Sequence, residues 1–242
     1  MKIIVLYEDS DTLVINKPVG VVVNRAESVE GETVQDWVEA NNWFGLHGLE
    51  NKLFRQRSGV CHRLDKETSG CLMIAKNPVA LEFYLAQFKE RRVKKHYLAL
   101  VHGRVEPAEG EVRLPLKRSI FDREKWQVHY EGKRAVTAWS VEKRFVDHNM
   151  PRFRNALTLL TLDLKTGRTH QIRVHLSFLG WPVFADGKYL GKEVAERDRR
   201  LLGHQFLHAS ELKFENTQGE PIEVKADLPE DCLNLLAGLM LE

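Results

Sequence analysis

The sequence predicts an α+β fold in which a mixed, mainly antiparallel central sheet is flanked by helices and loops. Most of the apolar segments rich in β-branched residues are joined by short connections, which is typical of hairpins rather than of strands alternating with crossover helices. The 242 residues are 43% hydrophobic and 29% charged, enough to bury a core without disulfides or structural metals. No repeat or low-complexity tract interrupts the chain. We therefore expect a single domain over residues 1–242.

The first third of the chain begins with a predicted hairpin. Its strands are Ile3–Tyr7 and Leu13–Asn16, joined by an acidic turn. Thr33 can cap a short helix that runs to about Trp43. Residues 42–59 are rich in Gly, His, Asn and Arg, which predicts a long loop of the kind that is usually functional or mobile.

A buried strand and a capped helix come next. Gly70–Lys76 is almost entirely apolar, which indicates a strand covered on both faces. Asn77 followed by Pro78 is a strong helix start, because the Asn oxygen can cap the helix and Pro suits its first position. This helix should end near Glu90. Its predicted buried stripe comprises Leu81, Leu85 and Phe88.

The rest of the chain continues the mainly antiparallel pattern, with two further helices. The predicted strands are Tyr97–His102, Val112–Leu116, Ala135–Arg144 and Ala156–Leu164. The predicted helices are Thr169–Leu179 and Pro229–Leu241.

Composition excludes several classes of protein. The three cysteines, Cys61, Cys71 and Cys232, form no CxxC pair, so reduced thiols in a cytoplasmic protein are expected. The N-terminal apolar run is too short and too charged for a signal peptide. No uncharged apolar stretch approaches the roughly 20 residues of a membrane span.

The net charge of +2 conceals an uneven distribution. Residues 88–134 contain 13 Lys and Arg against 7 Asp and Glu, whereas residues 215–242 contain 1 Lys against 7 acids. Such a split can direct a polyanion to one part of the surface. A solvated charged face is the simpler explanation of this feature taken alone.

The densest polar cluster is the segment 62–70, HRLDKETSG, which lies between apolar segments. Asp65 stands between Arg63 and Lys66, and cations of this kind favour the ionised form of a carboxylate. An ionised carboxylate can serve as a nucleophile or base toward a sugar or pyrimidine. From chemistry alone, an ordinary loop carboxylate is the better interpretation.

The order of residues in this segment favours a catalytic carboxylate over an ordinary loop carboxylate. VCHRLDKETSG resembles the motif of RluA-type pseudouridine synthases, in which an HRLD-x-x-TSG stretch surrounds the essential aspartate. The resemblance extends over nearly the whole chain. Its other segments are Asn16–Gly20, Lys94–Tyr97, Leu114–Leu116, Thr166–His175, Gly180–Gly187 and Phe206–Ala209.

The resemblance implies a pseudouridine synthase fold with its catalytic cleft across the sheet. Asp65 would attack the flipped-out nucleotide at the ribose C1′ or the ring, or would abstract the C2′ proton. Tyr97 would stack on the uracil, Arg173 would pair with Asp65, and Arg63 would fill the gap left in the RNA. Without the resemblance, Tyr97 is better explained as a core or edge residue of a strand and Arg173 as a surface ion-pair partner.

The remaining predictions concern substrate and partners. We expect an RNA substrate, either an rRNA or a tRNA stem-loop, no cofactor, no membrane contact and a monomer lacking the small RNA-binding domain of many family members. No metal is expected, because the histidines show no ligand spacing and fit structural positions. The residues expected to bind RNA besides Arg63 are His62, Lys94, Lys95, Arg168, His170 and Gln171.

Phosphate contacts are expected from the basic segments 89–95 and 113–134, where Trp126 and Tyr130 could stack on bases but fit inward-packing strand positions better.

Two other classes of protein compete with the interpretation of this chain as a pseudouridine synthase. One is a non-catalytic RNA-binding or ribosome-assembly protein on the same fold. The other is a metal-dependent nuclease or hydrolase.

Overall fold

Twelve strands and six helices occur in the residues that the computed structural model describes, which are 1–27, 29–41, 51–146 and 156–242. They confirm the α+β class. Residues 1–94 and 209–227 pack as one unit (unit 1), and residues 95–208 and 228–242 pack as another (unit 2). That the whole chain acts as one domain stays a prediction.

The element bounds agree with most of the predicted segments. The strands are β1 Ile4–Glu8, β2 Thr12–Lys17, β3 Ser69–Ala75, β4 Lys94–His102, β5 Glu109–Val112, β6 Leu116–Arg118, β7 Trp126–Val128, β8 Thr137–Val146, β9 Ala156–Leu164, β10 Leu207–Glu215, β11 Pro221–Lys225 and β12 Met240–Leu241. The helices are α1 Val34–Ala40, α2 Lys52–Arg57, α3 Pro78–Glu90, α4 Gln171–Phe178, α5 Lys192–Asp198 and α6 Glu230–Ala237. None of these helices is long and apolar enough to cross a lipid bilayer.

Unit 1 is built on the predicted N-terminal hairpin. β1 pairs with β2, and β2 pairs with β3, both antiparallel, so that Lys17 lies opposite Gly70. Every residue of β3 is buried, as its apolar composition predicted. β10 and β11 form a second antiparallel hairpin. The apolar core of the unit lies between these strands and α3, where Leu81 and Tyr84 are buried.

Two capped helices of unit 1 begin where the sequence placed them. The Thr33 side chain accepts a hydrogen bond from Asp36 N, and Asp36 accepts one from Thr33 N, which completes a capping box. Asn77 caps α3 by accepting from Ala80 N. The stripe predicted for α3 is rotated slightly: Leu81 is buried, but Leu85 and Phe88 are only partly buried. The fully buried positions of α3 are Ala80, Leu81, Tyr84 and Gln87.

The long loop predicted over residues 42–59 is wrong in part. Residues 42–50 lie outside the described part of the chain, but Lys52–Arg57 forms helix α2. Asn51 caps this helix through Phe54 N at 2.9 Å, and the Phe54 side chain enters the apolar core of unit 1. One buried aromatic anchors a helix of six residues whose polar composition indicated a loop.

Unit 2 contains the antiparallel strands β4, β9 and β8 in that order, and β5 and β12 also pair with β8. β6 and β7 form a separate two-stranded sheet, here named the finger hairpin, which covers residues 116–128. The predicted strand Val112–Leu116 is wrong, because β5 ends at Val112 and β6 begins at Leu116. Pro115 between them has no backbone N–H for a continuous ladder.

The C-terminal segment also differs from its prediction. The helix α6 ends at Ala237 instead of Leu241, and Met240–Leu241 pairs with β8 as β12. Tyr130, expected to pack inward, is 84% exposed, whereas Trp126 is partly buried against an apolar cluster with Leu116 and Val174.

Gly70 should be the least replaceable glycine of unit 1. Its φ is +107°, and a Cβ at this position would lie 2.2 Å from the Ala209 carbonyl oxygen. We expect Gly70→Ala to lower the free energy of unfolding by at least about 2 kcal/mol, because strain and overlap add. Chemical denaturation would measure this loss. Gly203→Ala is the control, since no atom lies within 4 Å of its added methyl group and its φ lies outside the left-handed region that disfavours other residues. Equal losses in the two variants would contradict the prediction.

Candidate active site

The loop that carries Asp65 is anchored to the core strand that follows it. Cys61 N donates to Met73 O at 3.1 Å, and Thr68 N donates to Asp65 O at 3.1 Å, closing a turn before β3 begins. The Asp65 side chain is half-buried and the Arg63 side chain is exposed. The backbone of this loop is therefore constrained at both ends, while two of its charged side chains remain within reach of solvent.

A buried lysine holds the same loop from the other side. The Lys17 ammonium donates to three backbone carbonyls, those of Pro18 at 2.8 Å, Val21 at 2.9 Å and Lys66 at 3.1 Å. Gly20 N donates to the same Lys66 carbonyl at 2.9 Å. The carbonyl of Lys66, the residue after Asp65, is thus held by two donors, one at the end of β2 and one three residues beyond it.

The charge of Lys17 interacts with Asp65. Lys17 is 0% exposed, and burial lowers its pKa to about 7, although the negative charge of Asp65 opposes the shift. Three carbonyl acceptors match the three N–H groups of an ammonium ion. The sequence did not single out Lys17 as a site residue. The available signal was a lysine at the end of an apolar strand, directly before Pro18 and Gly20.

His62 has a structural function in this loop. Its Nε2 accepts a hydrogen bond from Met73 N at 3.1 Å, and its ring packs against Phe88 at 4.9 Å between centroids. Lys94, also expected to bind RNA, is exposed at the start of β4. RNA contact by either residue stays a prediction.

In unit 2, Gln171 organises the motif at the start of α4. Its Oε1 accepts from the Thr166 hydroxyl at 2.7 Å and from Arg168 N at 3.0 Å. Its Nε2 donates to Val136 O at 3.0 Å and to the Thr137 hydroxyl at 2.9 Å. Gln171 is 2% exposed, so these bonds assign it to the framework of the motif. Direct RNA binding by Gln171 stays untested, and Arg168 is exposed beside it.

Arg173 projects from α4 into a cage formed by residues 186–189. Its Nε and Nη2 donate to the two oxygens of Asp186 at 2.7 and 2.8 Å, and its Cζ lies 5.1 Å from the centroid of the Tyr189 ring. Burial raises the pKa of Asp186, but the hydrogen bonds and charge of Arg173 outweigh burial and the net shift is downward. His170 Nδ1 lies 2.8 Å from the Tyr189 hydroxyl. The expected pairing of Arg173 with Asp65 stays a prediction.

Tyr97 and Lys95 lie on the same strand, β4. Tyr97 is 6% exposed and stands opposite Leu162 of β9. Burial lowers the pKa of Lys95 to about 8, against the opposing effect of Asp163. A Cβ at Gly167 would lie 3.3 Å from Lys95 Nζ, so the turn before α4 passes close to this ammonium group.

The expected site residues divide between the two units. Unit 1 holds Arg63, His62, Asp65 and Lys94, and unit 2 holds Lys95, Tyr97, Arg168, His170, Gln171 and Arg173. Within unit 2 the structure brings together His170 and Arg173 around Tyr189. Asp186 lies in the segment Gly180–Gly187 that carries part of the resemblance, but the sequence did not identify Asp186 or Tyr189 as a partner of Arg173.

Several histidines have structural partners, as expected. His102 Nε2 lies 2.6 Å from the buried carboxylate of Asp198. Within the described ranges, a cluster with potential metal ligands consists of His204, Asp231 and Cys232, with ligand atoms within 4.8 Å of one another. His204 Nδ1 faces its neighbour's carbonyl at 3.0 Å and Nε2 faces Asp231 at 2.9 Å. Both ring nitrogens of His204 therefore already have a partner within the protein.

Removing the Lys17 ammonium should destabilise the Asp65 loop. Lys17→Met leaves the carbonyls of Pro18 and Val21 without this donor and leaves the Lys66 carbonyl with Gly20 N alone, and we expect the free energy of unfolding to fall by about 2–5 kcal/mol. Denaturant titration of Lys17→Met beside Lys2→Met, which removes an exposed lysine, would measure this difference. A loss no larger than that of Lys2→Met would contradict the assignment.

The same lysine should make stability depend on pH. Because burial lowers the pKa of Lys17 from its ordinary value of 10.5 to about 7 in the folded protein, the unfolded chain binds more protons between these pH values. The contribution of Lys17 to stability should therefore rise with pH through this window, by up to about 1.4 kcal/mol per pH unit. The difference in unfolding free energy between wild type and Lys17→Met, measured from pH 7 to pH 10, should widen. A constant difference would show that Lys17 stays charged in the folded state.

Comparison with known proteins supports the interpretation of these motifs. A family model described as RNA pseudouridylate synthase matches residues 11–178. An uncharacterized RNA pseudouridine synthase, YlyB, of Bacillus subtilis is 37% identical over 242 residues, which is 99% of this chain and 73% of the relative. Ribosomal large subunit pseudouridine synthase D of Neisseria meningitidis is 35% identical over 258 residues, 100% of this chain but 62% of the relative.

Solved structures agree with the sequence comparison. Human RNA pseudouridylate synthase domain containing 1 superposes with a TM-score of 0.73 at 28% identity, covering 100% of this chain and 89% of the human chain. The motifs around Asp65 and Arg173 both lie within the residues matched by the family model. The chain therefore belongs to the RNA pseudouridylate synthase family, and it is an isomerase with the α+β architecture of that family.

Proposed function

We propose that this enzyme converts specific uridines of structured RNA to pseudouridine by base flipping, with Asp65 as nucleophile or base and a large-subunit rRNA stem-loop as substrate. The rRNA is favoured because several relatives at 33–37% identity are named ribosomal large subunit pseudouridine synthase D. A tRNA stem-loop is the second candidate substrate. The predicted cytoplasmic location and monomeric state accompany this proposal.

The constrained loop of Asp65 is the observation that carries the proposal. Its backbone is clamped at the Lys66 carbonyl by Lys17 and Gly20, yet the Asp65 carboxylate is half-buried rather than enclosed. A catalytic carboxylate needs a fixed position together with access to substrate. Arg63, two residues earlier and exposed, can enter the space that a flipped nucleotide vacates, because a planar guanidinium can stack on bases.

The reaction needs groups that are present in this chain. Breaking the C1′–N1 bond and forming the C1′–C5 bond rearranges one nucleotide, and the C5 proton must leave after the new bond forms. Extruding the base costs a few kcal/mol, of which stacking on Tyr97 can return about 1–3 kcal/mol. No hydride or external group is transferred, so the chemistry requires no redox cofactor. In this proposal Asp65, Tyr97 and Arg173 all act on the same uridine.

The finger hairpin and the residues that follow it, up to Arg134, supply a surface suited to RNA. Arg118, Arg123 and Arg134 are exposed, and within the described residues none of them forms an ion pair with a carboxylate. Phe121 at the tip of the hairpin is 90% exposed and Tyr130 is 84% exposed. Guanidinium groups between exposed aromatic rings can contact phosphates and stack on unpaired bases.

Asp65→Asn tests the catalytic part of the proposal. It removes the negative charge while preserving shape, so pseudouridine formation should fall by about 10³-fold or more while RNA affinity changes less than about tenfold. Tritium release from 5-tritiated uridine RNA and filter binding would measure the two quantities. Asp227→Asn, an exposed carboxylate on the same unit, is the matched control.

The outcomes of this assay separate the competing functions. Unchanged pseudouridine formation in Asp65→Asn, or none in the wild type with tight RNA binding, would favour a non-catalytic RNA-binding protein. Shortened RNA and loss of activity in EDTA would favour a metal-dependent nuclease. Mapping pseudouridine in total RNA with and without the protein would name the substrate, and sites confined to tRNA would overturn the choice of rRNA.

Neutralising the finger hairpin tests the RNA surface. We expect Arg118→Gln/Arg123→Gln to weaken RNA binding and to reduce the slope of log K against log salt by about 1–2, because two phosphate contacts are lost. Salt titrations of RNA binding would measure this slope. Lys192→Gln/Lys225→Gln makes the same change in net charge at two exposed lysines elsewhere. Equal effects of the two double variants would show that binding follows overall charge and not this surface.

A further inference from the structure

Tyr189 is in contact with both the finger hairpin and the predicted catalytic arginine. Its hydroxyl accepts a hydrogen bond from the backbone N–H of Trp126 at 2.8 Å, at the first residue of β7. The same hydroxyl lies 2.8 Å from His170 Nδ1, and its ring centroid lies 5.1 Å from Arg173 Cζ. One side chain therefore joins the hairpin to the N-terminal end of α4.

A second residue of the segment around Tyr189, Asp186, also fixes Arg173. Asp186 accepts two hydrogen bonds from the Arg173 guanidinium and also accepts from the backbone N–H groups of Lys188 and Tyr189, at 2.8 and 3.1 Å. The guanidinium is thus held between a carboxylate and an aromatic ring of the same turn. A displacement of Tyr189 would move both contacts of Arg173 together.

The hairpin is tied to this turn by two further contacts. Lys188 Nζ forms an ion pair with Glu124 of the hairpin loop at 2.6 Å, and Trp126 packs with Tyr189 in the same apolar cluster. The ion pair is exposed and should contribute little by itself. The hydrogen bond from Trp126 N is different, because it is shielded in part from solvent and a backbone donor deprived of its acceptor inside a protein is costly.

We propose that Tyr189 is a positioning residue that couples RNA docking on the finger hairpin to the placement of Arg173. This inference rests on the proposed roles of Arg173 and of the hairpin. RNA bound by Arg118 and Arg123 orders the hairpin, and the hydrogen bond from Trp126 N then fixes the position of the Tyr189 hydroxyl. The Tyr189 ring and the adjacent Asp186 in turn hold the Arg173 guanidinium in its reactive position. A uridine in RNA that does not engage the hairpin would meet a less ordered Arg173.

Tyr189→Phe tests the coupling, because it keeps the ring over Arg173 and removes only the hydroxyl, which accepts from Trp126 N and contacts His170. We expect kcat for a structured RNA substrate to fall about 2- to 30-fold with KM changed less than about twofold, as for a coupling residue that does not itself bind RNA. Tyr7→Phe is the matched control, since its hydroxyl is hydrogen-bonded to Asp9 at 2.8 Å in unit 1. It should leave kcat unchanged.

A double-mutant cycle separates coupling from a local structural role. Tyr189→Phe should lower kcat in the wild-type background but change it less than about twofold in Arg118→Gln/Arg123→Gln, because the docked hairpin is then absent. Effects that multiply independently in the cycle would overturn the proposal. Lys188→Met, which breaks only the exposed ion pair, should show the same pattern more weakly, and it keeps the cycle interpretable if Tyr189→Phe unfolds.

Wild type and Asp65→Asn complete the experiment. If wild type forms pseudouridine and Asp65→Asn does not, the proposed function stands, and an additive cycle would then reject only the coupling. If wild type forms none, the proposed function itself fails.

Discussion

The buried ammonium of Lys17 is the interaction on which the candidate active site depends. It donates to the carbonyls of Pro18 and Val21, just after β2, and to the Lys66 carbonyl in the turn that begins at Asp65, and the glycine at position 20 donates to the same Lys66 carbonyl. Burying a lysine is costly unless its donors are satisfied. Here the acceptors are backbone atoms, so the lysine constrains the course of the chain and not merely one side chain. Its positive charge also lies near enough to Asp65 for the two to interact.

In unit 2, buried polar residues beside the predicted catalytic groups likewise form hydrogen bonds that hold the local structure in place. The amide oxygen of Gln171 accepts from Arg168 N within the motif, and its Nε2 donates to Val136 O. The Asp186 carboxylate accepts from Arg173 and from two backbone N–H groups. Each buried polar group is satisfied by more than one partner, which makes such networks rigid. Tyr189 extends this network to the finger hairpin, so that a surface suited to RNA and the proposed active site share a hydrogen-bonded neighbour.

Local sequence signals predicted the elements whose causes are local. The Thr33 cap, the Asn77 cap and the apolar strand β3 depend on residues within a few positions of one another, and all three were confirmed. The helix α2 was missed because its stability comes from Phe54 in the core and not from its own composition. The strand β12 was missed because two residues become a strand only by pairing with β8. Tyr130 was placed inward because an aromatic residue near a strand usually packs, and here it lies beyond the end of β7.

The sequence by itself determined the family and the chemical types of the site residues, because fixed strings around Asp65, Tyr97 and Arg173 can be compared without coordinates. Only the tertiary structure decided which partners hold those residues. Lys17 and Lys66 are 49 positions apart, Arg173 and Asp186 are 13 apart, and Trp126 and Tyr189 are 63 apart. No periodicity or propensity relates positions at such separations. Their pairing follows from strand register and from the requirement that every buried donor find an acceptor.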